Sequence, residues 1–481
     1  MASFYETSVP QTVGETSSAA PRQSIFLTLL LALLVPAILA YALVSGNETQ
    51  VVALVLASLG GLVIIARPFW GLMLFIGLLY TRPEESIPAL AGAHLLLIIS
   101  LVTLVALVFQ KLLRREPIVK TPLNGMIIGF GVAVVLSSFV SGTTSAAVQD
   151  IGRLVILVLL ILNLAASPER YRALVTAVLL FTGYLAAYSI YLYFTGGALV
   201  QNGTLLRSQA TGIFSDPNDL AATIVAGLGL TLVRMRQASG LFARLLYLAA
   251  AGVMIAAILL TESRGGMIAL LAVLGIFVFQ SSRNKPLAVC LAVVMALGLL
   301  AFKSGHMTNF DSGEDSANSR FWFWSNGVEQ LIHRPLLGVG YGGFPDINDG
   351  MTAHNSFVLC FAETGLLGYF SWIGCLYYAF SKGGSAEDTE TSDSRVNTRW
   401  DALGAQLALV GYLAASFWLS HTYSPILYVL LSLPVAQRLT SVPKDHLATL
   451  RKAEHRRDWL RIFLLSVGSV LFIYTLSMRM R

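Results

Sequence analysis

Six cationic or titratable side chains could carry chemistry in this sequence, because they lie in connections between apolar runs that otherwise hold few cations. A guanidinium binds phosphate oxygens bidentately, and a neutral imidazole is a natural general base for a hydroxyl group. Together they favour a site for a phosphorylated ligand beside a reacting hydroxyl. The six residues are Arg207 in TLLRSQATGIFSDPND, Arg264 in TESRGG, Arg320 in NSRFWFW, Arg334 in IHRPLLG, His354 in AHNSF and His421 in WLSHTYSP.

Four of these residues also have a simpler interpretation. Arg264 precedes Gly265 and Gly266 at the end of an apolar run, so it is either a snorkelling arginine or a fixed guanidinium offered to a phosphate. For Arg207, a solvated loop position stands against a second phosphate-binding arginine. His354 and His421 are either structural or act on a hydroxyl.

Polar residues at the starts of apolar runs are expected to be helix caps. These are Asn355 and Ser356 after His354, and one of Ser215, Asp216 and Asn218 around Pro217.

Composition places the chain in a membrane. It has 481 residues, 56% of them hydrophobic and only 12% charged, with a mean hydropathy of +0.71. A soluble protein carries about twice that charged fraction. Apolar runs recur from residue 25 onward and predict an all-α, polytopic membrane protein with about 12–15 transmembrane helices. The predicted spans are 25–44, 49–66, 69–80, 94–112, 123–141, 151–166, 171–194, 219–234, 245–261, 265–280, 286–302, 355–380, 402–419, 424–439 and 459–478.

Lysine and arginine orient these spans. The basic connections fall on alternate loops, which the positive-inside rule makes cytoplasmic, and the six candidate residues then fall on the external side. The net charge of +6 is explained in this way without nucleic acid.

The topology divides the chain into four parts. They are a cytoplasmic tail 1–24; a bundle 25–302 with an external loop 195–218; a long external loop 303–354; and a C-terminal bundle 355–481 with a flexible cytoplasmic loop 381–401. Within the long loop, residues 318–333 predict an amphipathic helix at headgroup level, with Phe321, Trp324, Val328, Leu331 and Ile332 on one face.

The segment GVGYGG, Gly338 to Gly343, fits the dinucleotide fingerprint G-x-G-x-x-G but lacks its βαβ context. Its glycines instead indicate a turn with positive φ or close backbone packing. No cofactor is expected. Metal binding has little support, since DINDG lacks calcium-loop spacing and Cys290, Cys360 and Cys375 lie unpaired within apolar runs.

A longer pattern resembles a known family. W-S-N-G-x-E-Q-x-I-x-x-R-P-L-L-G-V-G-Y-G-G-F, followed by A-H-N-S-F and E-T-G-L-L-G, is similar to the signature region of the O-antigen ligase-like superfamily. SRGG at Ser263 and TGIFSDPNDLA at Thr211 also match elements of that family, so the resemblance covers about residues 205–375. The family includes O-antigen ligases, O-antigen and exopolysaccharide polymerases, and protein O-oligosaccharyltransferases.

The resemblance implies a GT-C-like, inverting, metal-independent glycosyltransferase of the bacterial inner membrane with its active site facing the periplasm. The implied donor is a glycan on undecaprenyl diphosphate, and the acceptor is a glycan, the lipid A core or a protein hydroxyl. It implies catalytic roles for Arg207 and Arg264 at the diphosphate and for His354 at the acceptor. We expect Arg320, Arg334, His421 and Asn355 to be substrate-binding residues.

Other partners and functions stay open. Membrane lipid and other polysaccharide assembly proteins are expected partners, and nucleic acid is not. The chain could instead be a transporter or flippase for a lipid-linked glycan, or a non-catalytic component of a polysaccharide assembly complex.

Overall fold

The computed structural model describes residues 48–201, 205–301, 317–381, 392–441 and 455–479. It is about 80% helical, which confirms the all-α prediction. Its α-helices are α1 Glu48–Ala66, α2 Pro68–Thr81, α3 Pro83–Ser86, α4 Leu95–Arg114, α5 Pro122–Ser141, α6 Thr144–Leu164, α7 Pro168–Phe194, α8 Pro217–Gln237, α9 Leu241–Leu260, α10 Arg264–Ser281, α11 Lys285–Ala301, α12 Ala317–His333, α13 Ser356–Phe380, α14 Ser392–Ser416, α15 Pro425–Ser441 and α16 His455–Arg479.

Many of these helices are long and apolar enough to cross a membrane. Within the described residues there are nine such helices, namely α4 to α10, α13 and α16, and four shorter apolar helices accompany them. The chain is therefore a multi-pass membrane protein. The helices coincide with the predicted spans to within a few residues, except at α6, which begins earlier, and at α14. The tail 1–24 and the first predicted span, 25–44, lie outside the described residues.

The chain divides into two compact units. Residues 48–70 and 102–118 are the described part of the first, and residues 71–101 and 119–481, with their gaps, form the second. In the first unit, Lys111 forms an ion pair with Glu116 at 3.3 Å near the end of α4. All the candidate site residues lie in the second unit.

Two deeply buried helices organise the second unit. Helix α8 packs against α7, α9, α10 and α14, and helix α13 packs against α5, α12 and α16. Small residues allow the backbones to approach closely, as in other helix pairs within membranes. At Gly229 of α8, a Cβ atom would lie only 3.0 Å from the backbone nitrogen of Ala408 in α14. Both α8 and α13 begin at the polar cavity described below, so the best-packed elements hold its walls.

Two connections differ from their predicted form. The loop 195–218 contains an antiparallel hairpin of β1 Leu199–Gln201 and β2 Leu205–Arg207. The connection predicted at 381–401 is shorter, because α14 begins at Ser392. The polar first turns of α14 are held in place by Asp401. The Asp401 carboxylate lies 3.4 Å from the guanidinium of Arg234 and accepts from the Gln237 amide at 3.0 Å. Residues 382–391 lie outside the described residues.

Helix α12 matches the predicted helix 318–333 to within one residue, but its environment differs. Phe321, Trp324, Val328 and Leu331 are buried as expected, whereas Ile332, near the end of the helix, is 68% exposed. The apolar face packs on α13 and α16. Helix α12 is thus a packed element of the bundle, because protein side chains cover the face expected to lie at the headgroups.

Candidate active site

Arg207 lies at the end of β2 and is only 4% exposed. Its guanidinium donates to three different elements: Nε to the Thr261 carbonyl oxygen at 2.9 Å, and the two terminal nitrogens to Gln201 Oε1 at 3.0 Å and Asn218 Oδ1 at 2.9 Å. These bonds join the hairpin, the α9–α10 turn and the first turn of α8. A solvated loop position is therefore excluded for Arg207, whose side chain is fixed in direction.

A cavity of about 440 Å³ opens beside this guanidinium. It brings together Arg207, Arg320 and His354, three of the predicted site residues, from separate segments of the chain. Amides and a carboxylate complete a lining suited to an anionic ligand that also carries hydroxyl groups. The remaining lining residues are Leu199, Val200, Gln201, Ser215, Asp216, Pro217, Asn218 and Leu419.

Helix α12 positions two of the three cavity residues. Arg320 is in its first turns, and the indole nitrogen of Trp324 donates to the Ala353 carbonyl oxygen at 3.1 Å, which anchors the chain just before His354. The ring centroids of Phe323 and His354 lie 6.2 Å apart. Arg320 and His354 therefore depend on the packing of one helix.

His354 has a left-handed backbone, with φ of +46°. This conformation is uncommon for residues other than glycine and is found preferentially at sites where the surroundings impose it. The next residue, Asn355, caps α13 by accepting from the backbone nitrogens of Phe357 at 2.9 Å and Val358 at 3.1 Å. The capping interpretation of Asn355 is confirmed. It is fully buried and does not line the cavity.

Arg264 is the first residue of α10 and follows its capping residue Ser263, whose hydroxyl accepts from the Gly266 nitrogen at 3.2 Å. Arg264 does not line the cavity itself. It is, however, only three residues after Thr261, the carbonyl of which accepts from Arg207. The structure therefore places Arg264 on the same turn that fixes Arg207.

Arg334 and His421 lie away from the cavity lining. Arg334 is exposed at the end of α12. His421 is 6% exposed, and its Nε2 lies 2.7 Å from Asp219 Oδ1 while its Nδ1 lies 3.1 Å from Ser416 Oγ. Because Asp219 follows Asn218, His421 braces the first turn of α8 from behind the cavity.

A double-mutant cycle tests this brace. His421→Ala and Asp219→Ala are each expected to reduce the free energy of unfolding by about 1–3 kcal/mol, the usual loss for a hydrogen bond to a charged group. The double variant should lose little more than the larger single loss, since both changes remove the same interaction. Thermal unfolding of the purified protein measures the cycle, and strictly additive losses would contradict the brace.

The GVGYGG segment packs closely against the backbone of α13. Gly338, Gly340 and Gly342 have φ values of +64°, +98° and +70°. The Val339 nitrogen donates to the Ala362 carbonyl oxygen at 2.8 Å and the Gly340 nitrogen donates to that of Glu363 at 3.0 Å. The segment thus lies against α13, which is kinked at Gly365. The interpretation as positive-φ, closely packed glycine is confirmed.

The segment also offers a matched pair of substitutions. Gly342→Ala should cost about 1–2 kcal/mol of stability for its left-handed conformation, since no atom lies within 4 Å of the new Cβ. Gly340→Ala should cost roughly 2 kcal/mol more from overpacking, because its Cβ would lie 2.6 Å from Ser141 Oγ. Equal shifts in the thermal midpoint of the two variants would contradict the packing argument.

Two residues, Gln201 and Asn218, line the cavity and bond Arg207 but were not predicted as site residues. Gln201 supplies an acceptor to Arg207 from across the hairpin, and no local pattern marks it. Asn218 was one of three cap candidates, and another of them, Asp216, caps α8 by accepting from the Asn218 nitrogen at 2.7 Å. The Asn218 side chain is thereby left to bond Arg207. Among the described residues, no group of three or more histidine, cysteine or acidic side chains gathers in an arrangement that could hold a metal ion.

The fold and cavity define an all-α, multi-pass membrane protein with a cationic polar site lying beside the N-termini of its two central helices. Residues 249–373 match a family model described as O-antigen ligase, and this match supports the resemblance to the O-antigen ligase-like superfamily. At the family level, this supports a glycosyltransferase-type enzyme that acts on a lipid-linked glycan and a glycan acceptor. The matched region includes Arg264, Arg320 and His354, whereas Arg207 and His421 lie outside it. A comparison with curated proteins found no match to the chain.

Proposed function

We propose that the chain transfers or polymerises glycan from an undecaprenyl-diphosphate-linked donor onto an acceptor hydroxyl at the periplasmic face of the bacterial inner membrane. The reaction needs no metal and inverts the anomeric centre. The observation that carries this proposal is the meeting of Arg207, Arg320 and His354 around one cavity of about 440 Å³. Two guanidinium groups suit a diphosphate, and the imidazole supplies a base for the incoming hydroxyl.

Arg207 is the better organised of the two cations. Its three hydrogen bonds described above go to neutral acceptors, a backbone carbonyl and two side-chain amides. These three bonds fix the direction of its guanidinium. A preorganised cation of this kind stabilises negative charge as it develops on the leaving diphosphate, without rearrangement during the reaction.

The proposed step is a single displacement. The acceptor oxygen attacks the anomeric carbon while the bond from that carbon to the diphosphate oxygen breaks. His354 takes the hydroxyl proton, and the lipid diphosphate leaves with the bonding electron pair. Attack opposite the leaving group inverts the anomeric centre, and binding of the lipid and sugars aligns the reacting atoms.

The other predicted residues receive supporting roles. We assign Arg264, on the turn that fixes Arg207, to the phosphate farther from the sugar. Asn355 and His421 act by positioning, because Asn355 caps the helix after His354 and His421 braces the α8 turn that bears Asn218. Exposed Arg334 is the weakest of the predicted substrate contacts and serves below as a control.

A reconstituted transfer assay tests the proposal. Proteoliposomes receive an undecaprenyl-diphosphate oligosaccharide and, in separate reactions, lipid A core, free oligosaccharide or a serine-containing peptide. Release of undecaprenyl diphosphate coupled to one acceptor is the expected result. A ladder of products identifies a polymerase, and a single addition to lipid A core identifies a ligase. No release with any acceptor overturns the proposal and leaves transport or a non-catalytic role.

Metal independence is tested in the same vesicles. Because two arginines rather than a metal ion neutralise the leaving group in the proposed step, excess EDTA should change the transfer rate by less than about twofold. This is a small effect beside the 10²–10³ attributed to one charge-stabilising donor. Loss of transfer in EDTA, with recovery on adding Mg²⁺ or Mn²⁺, would contradict this part of the proposal.

A further inference from the structure

A second polar cluster lies in the same unit, outside the cavity. We name Tyr341, Asp150 and Arg153 the Tyr341 cluster. The Tyr341 hydroxyl donates to Asp150 Oδ2 at 2.9 Å, and a terminal nitrogen of Arg153 lies 3.7 Å from Asp150 Oδ1. Asp150 and Arg153 belong to the first turns of α6, a candidate membrane span.

The two charged side chains of the cluster are still accessible. Their exposed fractions are 44% for Asp150 and 32% for Arg153. Arg153 Nε is buried and has no hydrogen-bond partner within the part of the chain that the structure describes. The ion pair is long, at 3.7 Å, and the exposed parts of both side chains are accessible to a ligand.

Tyr341, in contrast, is rigidly held. Its carbonyl oxygen accepts from Ser141 Oγ at 2.8 Å and Thr143 Oγ1 at 2.6 Å. Its ring meets that of Tyr423 edge to face at a centroid distance of 4.8 Å. Burial, reinforced by the neighbouring Asp150, raises the pKa of Tyr341, so its hydroxyl stays neutral and donates to that carboxylate.

The chain connects this cluster with the cavity. Tyr341 and His354 belong to the same connection between α12 and α13, and Tyr423 belongs to the connection that places Leu419 in the cavity wall. The charges, however, differ. The cavity carries two arginines, whereas Asp150 and Arg153 compensate each other.

The chemistry of the cluster fits a neutral, hydroxyl-rich ligand better than an anion. A carboxylate accepts from two neighbouring hydroxyl groups, and a guanidinium donates to two oxygens in a planar fork. Tyrosine rings add apolar area of the kind that covers one face of a sugar. This combination of groups is suited to a carbohydrate.

We propose that the Tyr341 cluster is a sugar-binding subsite for the acceptor glycan, separate from the cavity that takes the diphosphate. This inference rests on the proposed function. Asp150 accepts from acceptor hydroxyls, Arg153 donates to acceptor oxygens, and Tyr341 orients Asp150. The acceptor is then held by its sugars while its reacting hydroxyl reaches His354.

Two measurements test the subsite. Asp150→Asn, Arg153→Gln and Tyr341→Phe are compared with Glu329→Gln, a control that removes an exposed carboxylate on α12. The first measurement is transfer in proteoliposomes with donor and acceptor concentrations varied separately. The second is binding of the free oligosaccharide, released from the lipid-linked glycan by mild acid, to the full-length protein without donor.

Asp150→Asn and Arg153→Gln are expected to raise the acceptor KM and weaken oligosaccharide binding by about tenfold or more, a typical effect of losing a charge-assisted hydrogen bond. The donor KM should stay within about twofold, and Glu329→Gln should change neither value. Tyr341→Phe should show a smaller rise in the acceptor KM.

The other possible results of the two measurements also support or overturn the subsite. An unchanged acceptor KM in a protein that transfers glycan overturns the subsite and leaves the proposed function standing. A lowered thermal midpoint with an equal fall of kcat for every substrate identifies a purely structural latch, which also overturns it. If the wild type transfers nothing, oligosaccharide binding decides alone: weaker binding in the variants supports a glycan site, and unchanged binding overturns it.

Discussion

Replacing His354 with asparagine is expected to reduce transfer by about 10²–10⁴-fold, the usual contribution of a positioned general base. Asparagine is the appropriate substitute because His354 has a φ of +46°, and asparagine tolerates the left-handed region better than most residues. The backbone before α13 should therefore keep its course, and the loss should reflect the missing imidazole. Release of undecaprenyl diphosphate in proteoliposomes gives the rate.

The matched control is His333→Asn. His333 is an exposed residue of the last turn of α12, with its Nε2 3.9 Å from Glu329, and it does not line the cavity. The control should keep nearly the full rate. Donor binding should be the same in both variants, since the phosphate-binding arginines are unchanged. If His354→Asn retained half the wild-type rate, His354 would not be the base.

A comparison with His354→Ala separates chemistry from strain. Alanine also removes the imidazole, but it is less tolerant of positive φ, so this variant should additionally lose about 1 kcal/mol of stability. The two variants should then transfer equally slowly while only the alanine variant shows a lower thermal midpoint. Different residual rates with equal midpoints would place the role of His354 in the backbone rather than in the ring.

Sequence reasoning was most successful where the signal is local. The apolar runs follow the bilayer thickness, so α5 and α7 to α11 were predicted to within a few residues of their observed bounds. The glycines at 338–342 were also recognised, because positive φ and close packing are requirements of single positions. The cap at Asn355 is a third local signal of this kind.

The cavity itself could be predicted only in part. The distribution of lysine and arginine between alternate loops predicted that Arg207, Arg320 and His354 lie on one face of the membrane. Their meeting in one cavity depends on long-range contacts such as Trp324 to Ala353, which no short pattern encodes. For the same reason, nothing in the sequence distinguished Arg334, which is exposed, from Arg320, which lines the cavity.

At the start of helix α14, the sequence predicted a connector where the structure has a helix. Its first ten residues, from Ser392, are polar and low in complexity, so they were expected to be a flexible connector. Hydrophobic periodicity cannot detect a helical segment that is stabilised by polar contacts from another helix. Asp401 contacts Arg234 and Gln237 of α8, and these partners are 164 or more residues away in sequence.

Replacing Arg207 with lysine is expected to lower transfer by about 10²–10³-fold, the range for loss of one charge-stabilising donor at a developing anion. Lysine keeps the positive charge but lacks the planar fork. It cannot reach Thr261, Gln201 and Asn218 together, as the guanidinium does. The positive charge would then no longer be held in one direction toward the cavity. The donor KM should therefore rise and kcat should fall. Arg334→Lys, at an exposed position outside the cavity, should have little effect.

This variant alone does not separate binding from stability, because it also leaves buried acceptors without a donor, at about 1–3 kcal/mol each. Asn218→Asp resolves the two. It keeps the acceptor atom 2.9 Å from Arg207 and the size of the side chain, but it places a negative charge against the guanidinium. The ion pair should preserve or raise the thermal midpoint, since a hydrogen bond between charged groups is stronger than one to an amide.

The affinity for the donor should fall in Asn218→Asp, in contrast to the thermal midpoint. A carboxylate at residue 218 competes with the diphosphate for Arg207 and repels it, so the donor KM should rise by about tenfold or more, as for a lost charge-assisted contact. A stable Asn218→Asp protein with weakened donor binding would show that the available charge of Arg207, rather than its structural bonds, is what the substrate uses. If Asn218→Asp bound the donor as well as the wild type while Arg207→Lys merely unfolded more easily, Arg207 would be a structural cross-link. The diphosphate would then have to be bound by Arg320 and Arg264 without it.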